Sequence, residues 1–269
     1  MLIALTILLI LLLTYILLLK PRTGHPGWDA LAAFRYAHRG LHDKENGIPE
    51  NSMTAFRRAV EHGYGAELDV HLLKDGTLAV FHDSTLKRIC GAEGKIEDLT
   101  AEDLGKYRLL GTEETIPLLS DVLALFEGKT PLIIELKVVD GNAAALTDAV
   151  MDLLKGWNGA YCIESFHPSV VRHLKEHYPN VIRGQLSENF FKSKSISLVN
   201  TILMTFLLTT AFTRPDFIAY AHQDRKNISL RLMRKLYGVH EVGWTIRRQD
   251  IMEELEKDGV TPIFENFIP

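Results

Sequence analysis

Length, composition and charge place this chain among ordinary globular proteins. It has 269 residues, of which 46% are hydrophobic and 24% charged, enough for one large α/β domain or two small ones. The net charge of -4 gives no basis for nucleic-acid binding, which usually relies on a basic patch. The two cysteines, Cys90 and Cys162, belong to no Cys-x-x-Cys or Cys/His cluster, so neither zinc nor a disulfide framework is expected.

The amino terminus is an apolar run without charge, from Leu2 to Leu19. Its length suits a membrane-spanning helix. A cleaved signal peptide is the alternative, but it would carry a basic segment at its start and a small-residue cleavage site, and only Met1 precedes the run. The sequence therefore predicts one transmembrane anchor over residues 1–20, followed by a Gly/Pro linker over residues 21–33.

Positive charge flanks the predicted anchor on its carboxyl side, where Lys20 and Arg22 stand, whereas the terminal amine is the only positive group on the amino side. Lys and Arg near a membrane span favour the cytoplasmic side. The pattern predicts a single-pass membrane protein whose globular domain faces the cytoplasm. Reduced cysteines are normal in that compartment.

Residues 65–83 (GAELDVHLLKDGTLAVFHD) have the pattern of a β-hairpin. An Asp-Gly pair at 75–76 between two alternating runs is a strong hairpin signal. In the first run Glu67 and Asp69 point to the face opposite Leu68, since strand side chains alternate. Two carboxylates on one strand face suit a hard cation such as Mg2+ or Ca2+. A half-exposed strand with a solvated acidic face is the alternative that this stretch alone leaves open.

Strands and helices alternate along the rest of the chain. Besides the hairpin, we expect strands over residues 34–38, 131–137, 161–165, 181–186, 217–220, 242–246 and 262–264. A turn as short as residues 74–77 cannot join parallel neighbours, so the second hairpin strand is an antiparallel excursion. Eight parallel strands remain, which predicts a (β/α)8 TIM barrel over residues 34–269 with that excursion after its second strand. A doubly wound open sheet is the alternative, but no Gly-rich dinucleotide loop supports it.

Polar side chains collect at the carboxyl ends of the predicted strands, where TIM barrels carry their catalytic groups. They are His38 and Arg39 on the first strand, Glu67 and Asp69 on the second, Glu135 and Lys137 on the next, Glu164 and His167 on the fourth, and Trp244 on the seventh. Buried like charges are costly unless a cation lies between them. Each residue alone has an ordinary structural explanation, but their joint placement at one barrel mouth favours catalysis.

The order of several short motifs resembles that of the glycerophosphodiester phosphodiesterase family. The motifs are HRG at 38–40, PENS at 49–52, ELDV at 67–70, KDG at 74–76, HD at 82–83, ELK at 135–137 and SF at 165–166. Each motif is weak alone, but the ordered set is specific, and the resemblance covers residues 34–269. It implies a TIM barrel with a hairpin inserted after the second strand.

The resemblance also implies an activity and the residues that perform it. The activity is metal-dependent hydrolysis of glycerophosphodiesters to glycerol 3-phosphate and an alcohol, with the glycerol 2-hydroxyl as the attacking group. The implied residues are Glu67, Asp69 and Glu135 for Ca2+ or Mg2+; His38 and His82 for acid/base catalysis; Arg39, Lys137 and Trp244 for phosphate or substrate; and Glu50 and Asp83 for support. Which histidine is the acid stays open.

Two stretches depart from the family pattern. The chain ends FENFIP at 264–269, without the aspartate often found before the final proline, which puts the floor of the leaving-group pocket in question. Residues 195–213 (SISLVNTILMTFLLTTAFT) carry no charge, and small polar residues recur at every fourth position from Ser197 to Thr209. That spacing draws one polar stripe along a helix. We expect an interfacial helix or lid that lies on the bilayer, with a buried core helix as the alternative.

Several functions fit these features. The leading prediction is a membrane-anchored phosphodiesterase that acts on soluble glycerophosphodiesters. One alternative is a lysophospholipase D-type hydrolase acting on membrane lysolipids, towards which the apolar segment leans. Another is a non-catalytic membrane-tethered binding barrel, although the complete set of acids and histidines argues against it. A sphingomyelin-cleaving phospholipase D is a further alternative, which the Glu-x-Lys motif at 135–137 and the full hairpin fit less well.

Overall fold

The computed structural model describes residues 1–193 and 196–269. Within them it forms nine strands, which are β1 Tyr36–Ala37, β2 Gly65–Leu72, β3 Leu78–Val80, β4 Leu132–Leu136, β5 Tyr161–Ser165, β6 Arg183–Ser187, β7 Phe217–Ala221, β8 His240–Ile246 and β9 Val260–Phe264. All except β3 pair in parallel, and β1 closes the sheet by pairing with both β2 and β9. The predicted eight-stranded parallel TIM barrel is therefore confirmed.

Helices alternate with the barrel strands. Those in the described residues are α1 Leu2–Leu18, α2 Trp28–Ala32, α3 Met53–Glu61, α4 Lys87–Cys90, α5 Ala101–Leu104, α6 Leu119–Phe126, α7 Ala143–Leu154, α8 Pro168–His177, α9 Phe190–Ser193, α10 Leu198–Thr205, α11 Thr210–Thr213, α12 Ile228–Tyr237 and α13 Gln249–Lys257. Ser52 begins α3, as expected of a helix N-cap, because its hydroxyl accepts a hydrogen bond from the amide of Ala55.

The hairpin that organises the barrel mouth forms as expected. Strand β3 runs antiparallel to β2 with Val80 opposite Val70, and β4 lies on the other side of β2 with Glu135 beside Asp69. The second hairpin strand ends at Val80, so His82 lies in the loop that follows it. This loop brings His82 to the carboxyl end of the barrel.

Alternation along the strands separates two layers of packing. Leu68 and Ile134 are buried in the cluster between the strands and the surrounding helices. Ile133 belongs to a second cluster, inside the barrel. Since neighbouring side chains on a strand point to opposite faces, Glu67 and Glu135 also point inward. The apolar outer layer stabilises the fold by about 1.5–3 kcal/mol for each fully buried large side chain, and so holds these acids in place.

Residues that the sequence assigns to a linker pack against the amino end of the barrel. Helix α2 buries Trp28 and Leu31, and the Trp28 ring stacks on His240 with ring centroids 4.5 Å apart. Upstream of this helix, Arg22 Nε donates a hydrogen bond to Asp216 Oδ1 at 2.5 Å. These contacts attach the amino-terminal segment firmly to the barrel.

Helix α1 is shorter than the transmembrane anchor that the sequence predicts. It has 17 residues, against the 20 of the predicted anchor. Across the described residues, none of the helices combines the length and the apolar character that a membrane crossing needs. The predicted transmembrane anchor is therefore not supported.

The carboxyl end of α1 is fixed to the barrel. Leu19 is fully buried, the Tyr15 hydroxyl lies 2.7 Å from Ser229 Oγ, and the Tyr237 hydroxyl donates to the carbonyl of Ile16. Arg214, just after α11, donates to the carbonyl of Leu17. The rest of the helix extends from these contacts with its leucines and isoleucines exposed.

The apolar segment at 195–213 forms two helices, α10 and α11, instead of one. The chain breaks between them at Leu207, whose φ of 57° lies in the left-handed region. Ser195, its first residue, lies outside the described residues. Along α10 the threonine stripe faces inward, and Thr201 is only 5% exposed, whereas Leu198 and Val199 on the outside are 68% and 66% exposed. A helix on the outside of a barrel in water normally buries its apolar side chains and exposes its polar ones.

Candidate active site

Three buried carboxylates meet at the carboxyl end of the barrel. Glu67 and Asp69 come from β2 and Glu135 from β4, and one oxygen of each lies within 4.8 Å of the other two. The parallel register that sets Asp69 beside Glu135 creates this arrangement, because both side chains point into the barrel. None of the three residues is more than 7% exposed, so water screens the charges of the cluster little.

Basic and amide groups hold the three acids in place. Lys137 Nζ lies 2.8 Å from Asp69 Oδ1 and 2.7 Å from Glu135 Oε1. Asn51 Nδ2 donates to the second Asp69 oxygen at 2.8 Å. The backbone amide of Arg39 donates to Glu67 Oε2 at 3.0 Å. A hydrogen bond or an ion pair thus orients each predicted metal ligand.

The electrostatics of the cluster fit a cation. Burial, together with the nearby charges of Asp69 and Glu135, raises the pKa of Glu67 well above its usual value. Burial would also raise the pKa of Asp69, but the positive charges of Lys137 and the other basic neighbours, Arg39 among them, together outweigh burial and lower the pKa. Arg39 and Lys137 supply two positive charges against three carboxylates. A compact set of oxygen ligands with an excess of negative charge suits Mg2+ or Ca2+.

Both predicted catalytic histidines donate a hydrogen bond to a carboxylate. His38 Nδ1 lies 2.5 Å from Glu265 Oε2, and His82 Nδ1 lies 2.6 Å from Asp83 Oδ1. A proton on Nδ1 leaves the other ring nitrogen, Nε2, free to accept one, and Nε2 of His38 lies 3.9 Å from Glu67 Oε2. Burial lowers the pKa of His38 and lowers that of His82 to about 4, so both rings are neutral near pH 7.

The supporting residues Glu50 and Asp83 belong to one chain of ion pairs. Arg39 Nη1 donates to Glu50 Oε1 at 2.6 Å, and Arg88 donates to both Glu50 and Asp83 at 2.7 to 2.9 Å. Burial opposes ionisation of Glu50, but the two arginines lower its pKa to about 2. These ion pairs link Asp83, the partner of His82, to Arg39. Sequence reasoning missed Arg88 because this residue lies outside the motifs.

Glu265 is a second residue that sequence reasoning missed. It lies in the FENFIP tail, where the sequence showed only that an expected aspartate is missing. The structure brings its carboxylate within 3.7 Å of His42 Nε2 and within 2.7 Å of Arg247 Nε, in addition to the contact with His38. Burial would raise the pKa of Glu265, but hydrogen bonds from His38 and His42 lower it instead. The tail therefore supplies an ionised partner for a catalytic histidine.

Trp244, predicted to bind substrate, lies near the carboxyl end of β8. Its ring packs edge-on against Phe166, with ring centroids 5.6 Å apart. The indole Nε1 is buried, with no hydrogen-bond partner among the described residues. Together, Trp244 and Phe166 form an aromatic pair inside the barrel, in the same cluster as Phe217 and Val242.

The fold and this site define a class of protein, the TIM-barrel enzymes that act on anionic substrates with acidic, basic and imidazole groups at the barrel mouth. The sequence pattern of the glycerophosphoryl diester phosphodiesterase family matches residues 38–269. This chain belongs to that family. The match confirms the family that the short motifs predicted.

Individual relatives agree with this assignment. The chain is 32% identical over 241 residues to a glycerophosphodiester phosphodiesterase of Caldanaerobacter subterraneus, an alignment covering 84% of this chain and 91% of that one. It is also 32% identical over 276 residues to glycerophosphodiester phosphodiesterase 1 of Bos taurus, covering 86% and 75%. These matches confirm the prediction of an enzyme of the glycerophosphodiester phosphodiesterase type.

A solved structure shares the fold. It is a phosphodiesterase from Oleispira antarctica in complex with the product sn-glycerol-3-phosphate. The TM-score is 0.72 at 21% identity, with 91% of this chain and 95% of that chain covered. The likeness supports the closed barrel independently of the sequence motifs.

Proposed function

We propose that this barrel hydrolyses glycerophosphodiesters to glycerol 3-phosphate and an alcohol, with Ca2+ or Mg2+ held by Glu67, Asp69 and Glu135. The observation that carries the proposal is the cluster of three buried carboxylates within 4.8 Å of one another beside Lys137. A bound divalent ion would offset negative charge on the phosphoryl oxygens. The test is release of glycerol 3-phosphate from glycerophosphocholine, glycerophosphoethanolamine and glycerophosphoglycerol, with and without a chelator.

Arg39 and Lys137 have the charge and the position to bind the phosphate. Both contact Asp69, Lys137 at 2.8 Å and Arg39 Nε at 3.5 Å, so both cations lie at the edge of the carboxylate cluster. Arg39 Nε is buried without a hydrogen-bond partner among the described residues, which leaves a donor for a phosphoryl oxygen. Fixed donors of this kind stabilise the charge that develops on phosphorus-bound oxygens in the transition state.

His38 and His82 have the chemistry for the proton transfers. One neutral imidazole takes the proton of the glycerol 2-hydroxyl as that oxygen attacks phosphorus, and the other gives a proton to the departing alcohol. Water then opens the cyclic phosphate by the reverse transfers. The negative charge of the bound phosphodiester raises the pKa of a neighbouring imidazole, which supplies the protonated partner. The Trp244 and Phe166 rings offer an apolar wall for the substrate.

We also propose that the chain docks on a lipid surface. Helix α1 exposes most of its aliphatic side chains, and α10 turns its threonines inward and Leu198, Val199 and Ile202 outward. The buried Thr205 has a partner outside α10, since its Oγ1 accepts from the amide of Phe190 in α9. Apolar side chains that project outward from a polar-faced helix match an interfacial helix, which inserts its apolar face between lipid headgroups.

Replacing exposed aliphatic residues by aspartate should weaken binding to phosphatidylcholine/phosphatidylglycerol vesicles. We expect Leu8→Asp with Leu12→Asp in α1, and Val199→Asp with Ile202→Asp in α10, each to lower vesicle affinity at least tenfold, since the loss of even one fully inserted side chain costs about 1.5–3 kcal/mol and about 1.4 kcal/mol is a factor of ten. Leu153→Asp, at an exposed leucine of α7, is the matched control. Vesicle sedimentation measures the effect. Unchanged binding by both double variants would refute the proposal.

The cytoplasmic face of the membrane is the side that we propose for the barrel. Cys90 and Cys162 are both unpaired thiols, and thiols remain reduced in the cytosol. The test is a tag placed after Pro269, which should survive protease added to intact cells. Digestion of the tag without lysis would place the barrel on the other side.

A further inference from the structure

A second group of metal-ligating side chains lies beside the carboxylate cluster and shares none of its three acids. It consists of His38, His42 and Glu265, each of which has one ligand atom within 4.8 Å of the other two. His38 Nδ1 lies 2.5 Å and His42 Nε2 lies 3.7 Å from the same oxygen of Glu265, Oε2. Two imidazole nitrogens and one carboxylate oxygen thus converge at the edge of the barrel mouth.

The backbone holds these three side chains together without a metal. His38 follows β1 and Glu265 follows β9, and the pairing of these strands places the two residues side by side. His42 returns towards them through a tight turn at Gly40, whose φ of 80° and close approach to Ala55 leave no room for a side chain. A ligand set that is already assembled needs little reorganisation to bind an ion.

The chemistry of this set matches zinc. Zn2+ binds imidazole nitrogen and carboxylate oxygen, and two histidines with one glutamate are a known ligand set for it. Tetrahedral ligands at about 2.0–2.1 Å from Zn2+ lie about 3.3 Å from one another, and the observed separations of 2.5 and 3.7 Å bracket that value. Mg2+ and Ca2+ prefer oxygen ligands, which the carboxylate cluster supplies. The three side chains are 10–15% exposed, so an ion and a water ligand can reach them.

We propose that His38, His42 and Glu265 form a zinc site whose occupation inhibits the enzyme. The inference rests on the proposed phosphodiesterase function and adds a regulatory metal to it. With Zn2+ on Nδ1 of His38, the single proton of that ring resides on Nε2, which lies 3.9 Å from Glu67 Oε2. His42 binds through Nε2 and carries its proton on Nδ1, so no proton is released.

This change of tautomer removes His38 from catalysis. Nε2 is the nitrogen that faces the reacting phosphate, and once it carries the only ring proton it has no lone pair to accept another. A ring that cannot become imidazolium cannot give a proton to the departing alcohol either. Zinc therefore blocks His38 whichever of the two acid/base roles it has.

The test measures zinc inhibition and zinc binding on the full chain, with the activating ion, Mg2+ or Ca2+, at a fixed saturating concentration. Glycerol 3-phosphate release from glycerophosphocholine gives the activity, and isothermal titration calorimetry gives the Kd for Zn2+. We expect the zinc concentration that halves activity to match that Kd and to stay constant when the activating ion is raised about tenfold. A proportional rise would mean that Zn2+ displaces that ion from the carboxylate cluster, and would overturn the proposal.

Variants identify the zinc ligands. His42→Ala should weaken zinc binding at least about 100-fold, since even a residue that only orients a metal ligand contributes about 10- to 100-fold to affinity. Relative to its own value without zinc, the activity of His42→Ala should persist at zinc concentrations that inhibit the unaltered chain.

His173→Ala is the matched control, because it removes a histidine whose ring centroid lies 4.3 Å from that of His177, a second histidine pair on α8. Its response to zinc should equal that of the unaltered chain. Unchanged zinc affinity and inhibition in His42→Ala would refute the site. Absence of activity in every form before zinc is added would contradict the phosphodiesterase function, whereas calorimetry would still decide between a zinc site and none.

Discussion

Turnover should fall at least 100-fold in each of the variants Glu67→Gln, Asp69→Asn and Glu135→Gln. Each change removes one anionic ligand from the set proposed to hold the ion, and groups that stabilise transition-state charge typically contribute 100- to 1000-fold. The fold should persist, since Glu67→Gln relieves the repulsion from Asp69 and Glu135 that raises the pKa of Glu67. Steady-state release of glycerol 3-phosphate measures the loss.

Thermal unfolding separates loss of the ion from loss of the fold. A ligand at 100 times its Kd stabilises the folded chain by about 2.7 kcal/mol, so Ca2+ or Mg2+ should raise the Tm of the unaltered protein by several degrees. The three variants should lose this increase. Glu241→Gln is the control, because Glu241 of β8 is equally buried but forms ion pairs with Arg225 and Arg234. It should lower the Tm yet keep the increase with metal. Full activity in excess chelator would contradict the metal site.

Local patterns explain why the barrel and the carboxylates could be predicted. The alternation of Glu67, Leu68 and Asp69 is a property of a single strand, and it determines which face each side chain occupies. The Asp-Gly turn at 75–76 requires an antiparallel pair, so one of the nine predicted strands lies outside the parallel barrel and eight remain. No distant contact was needed for either step.

Contacts between distant parts of the chain explain what the sequence could not show. Glu265 meets His38 only because β9 pairs with β1 to close the barrel, 227 positions apart along the chain. The end of α10 is held against the barrel by Tyr220 and Asn227, which donate to the backbone carbonyl of Thr205. Polar residues at every fourth position predict a stripe along a helix, but they do not show whether that stripe faces the barrel or the outside.

The apolar run at the amino terminus does not show that the last turn of α1 packs on protein. The apolar run continues to Leu19, but its last turn is attached to the barrel, and Leu19 is fully buried against residues of the α12 region. The exposed part of the helix is therefore shorter than the apolar sequence. Hydropathy counts residues in a run and cannot distinguish those that pack on protein from those that face outward.

Replacing either histidine at the barrel mouth by alanine should lower kcat about 100-fold or more, the usual contribution of a positioned acid or base. His38→Ala and His82→Ala both remove a ring whose Nδ1 is anchored on a carboxylate. His62→Ala, at an exposed histidine after α3, is the matched control and should leave kcat unchanged. Near-normal kcat in His82→Ala would show that the hairpin loop does not bring His82 to the reacting phosphate.

Glu265 extends this prediction to the residue that positions His38. Glu265→Gln keeps an oxygen that can accept from Nδ1, so we expect kcat to fall only about tenfold, whereas Glu265→Ala should approach the loss in His38→Ala. KM should change little in both, because Glu265 contacts His38, His42 and Arg247 and acts on substrate through the ring. In the double variant with His38→Ala, the effect of Glu265→Ala should largely disappear, since residues that act as a unit are not additive. Independent, multiplying losses would mean that Glu265 serves the fold and does not orient the imidazole.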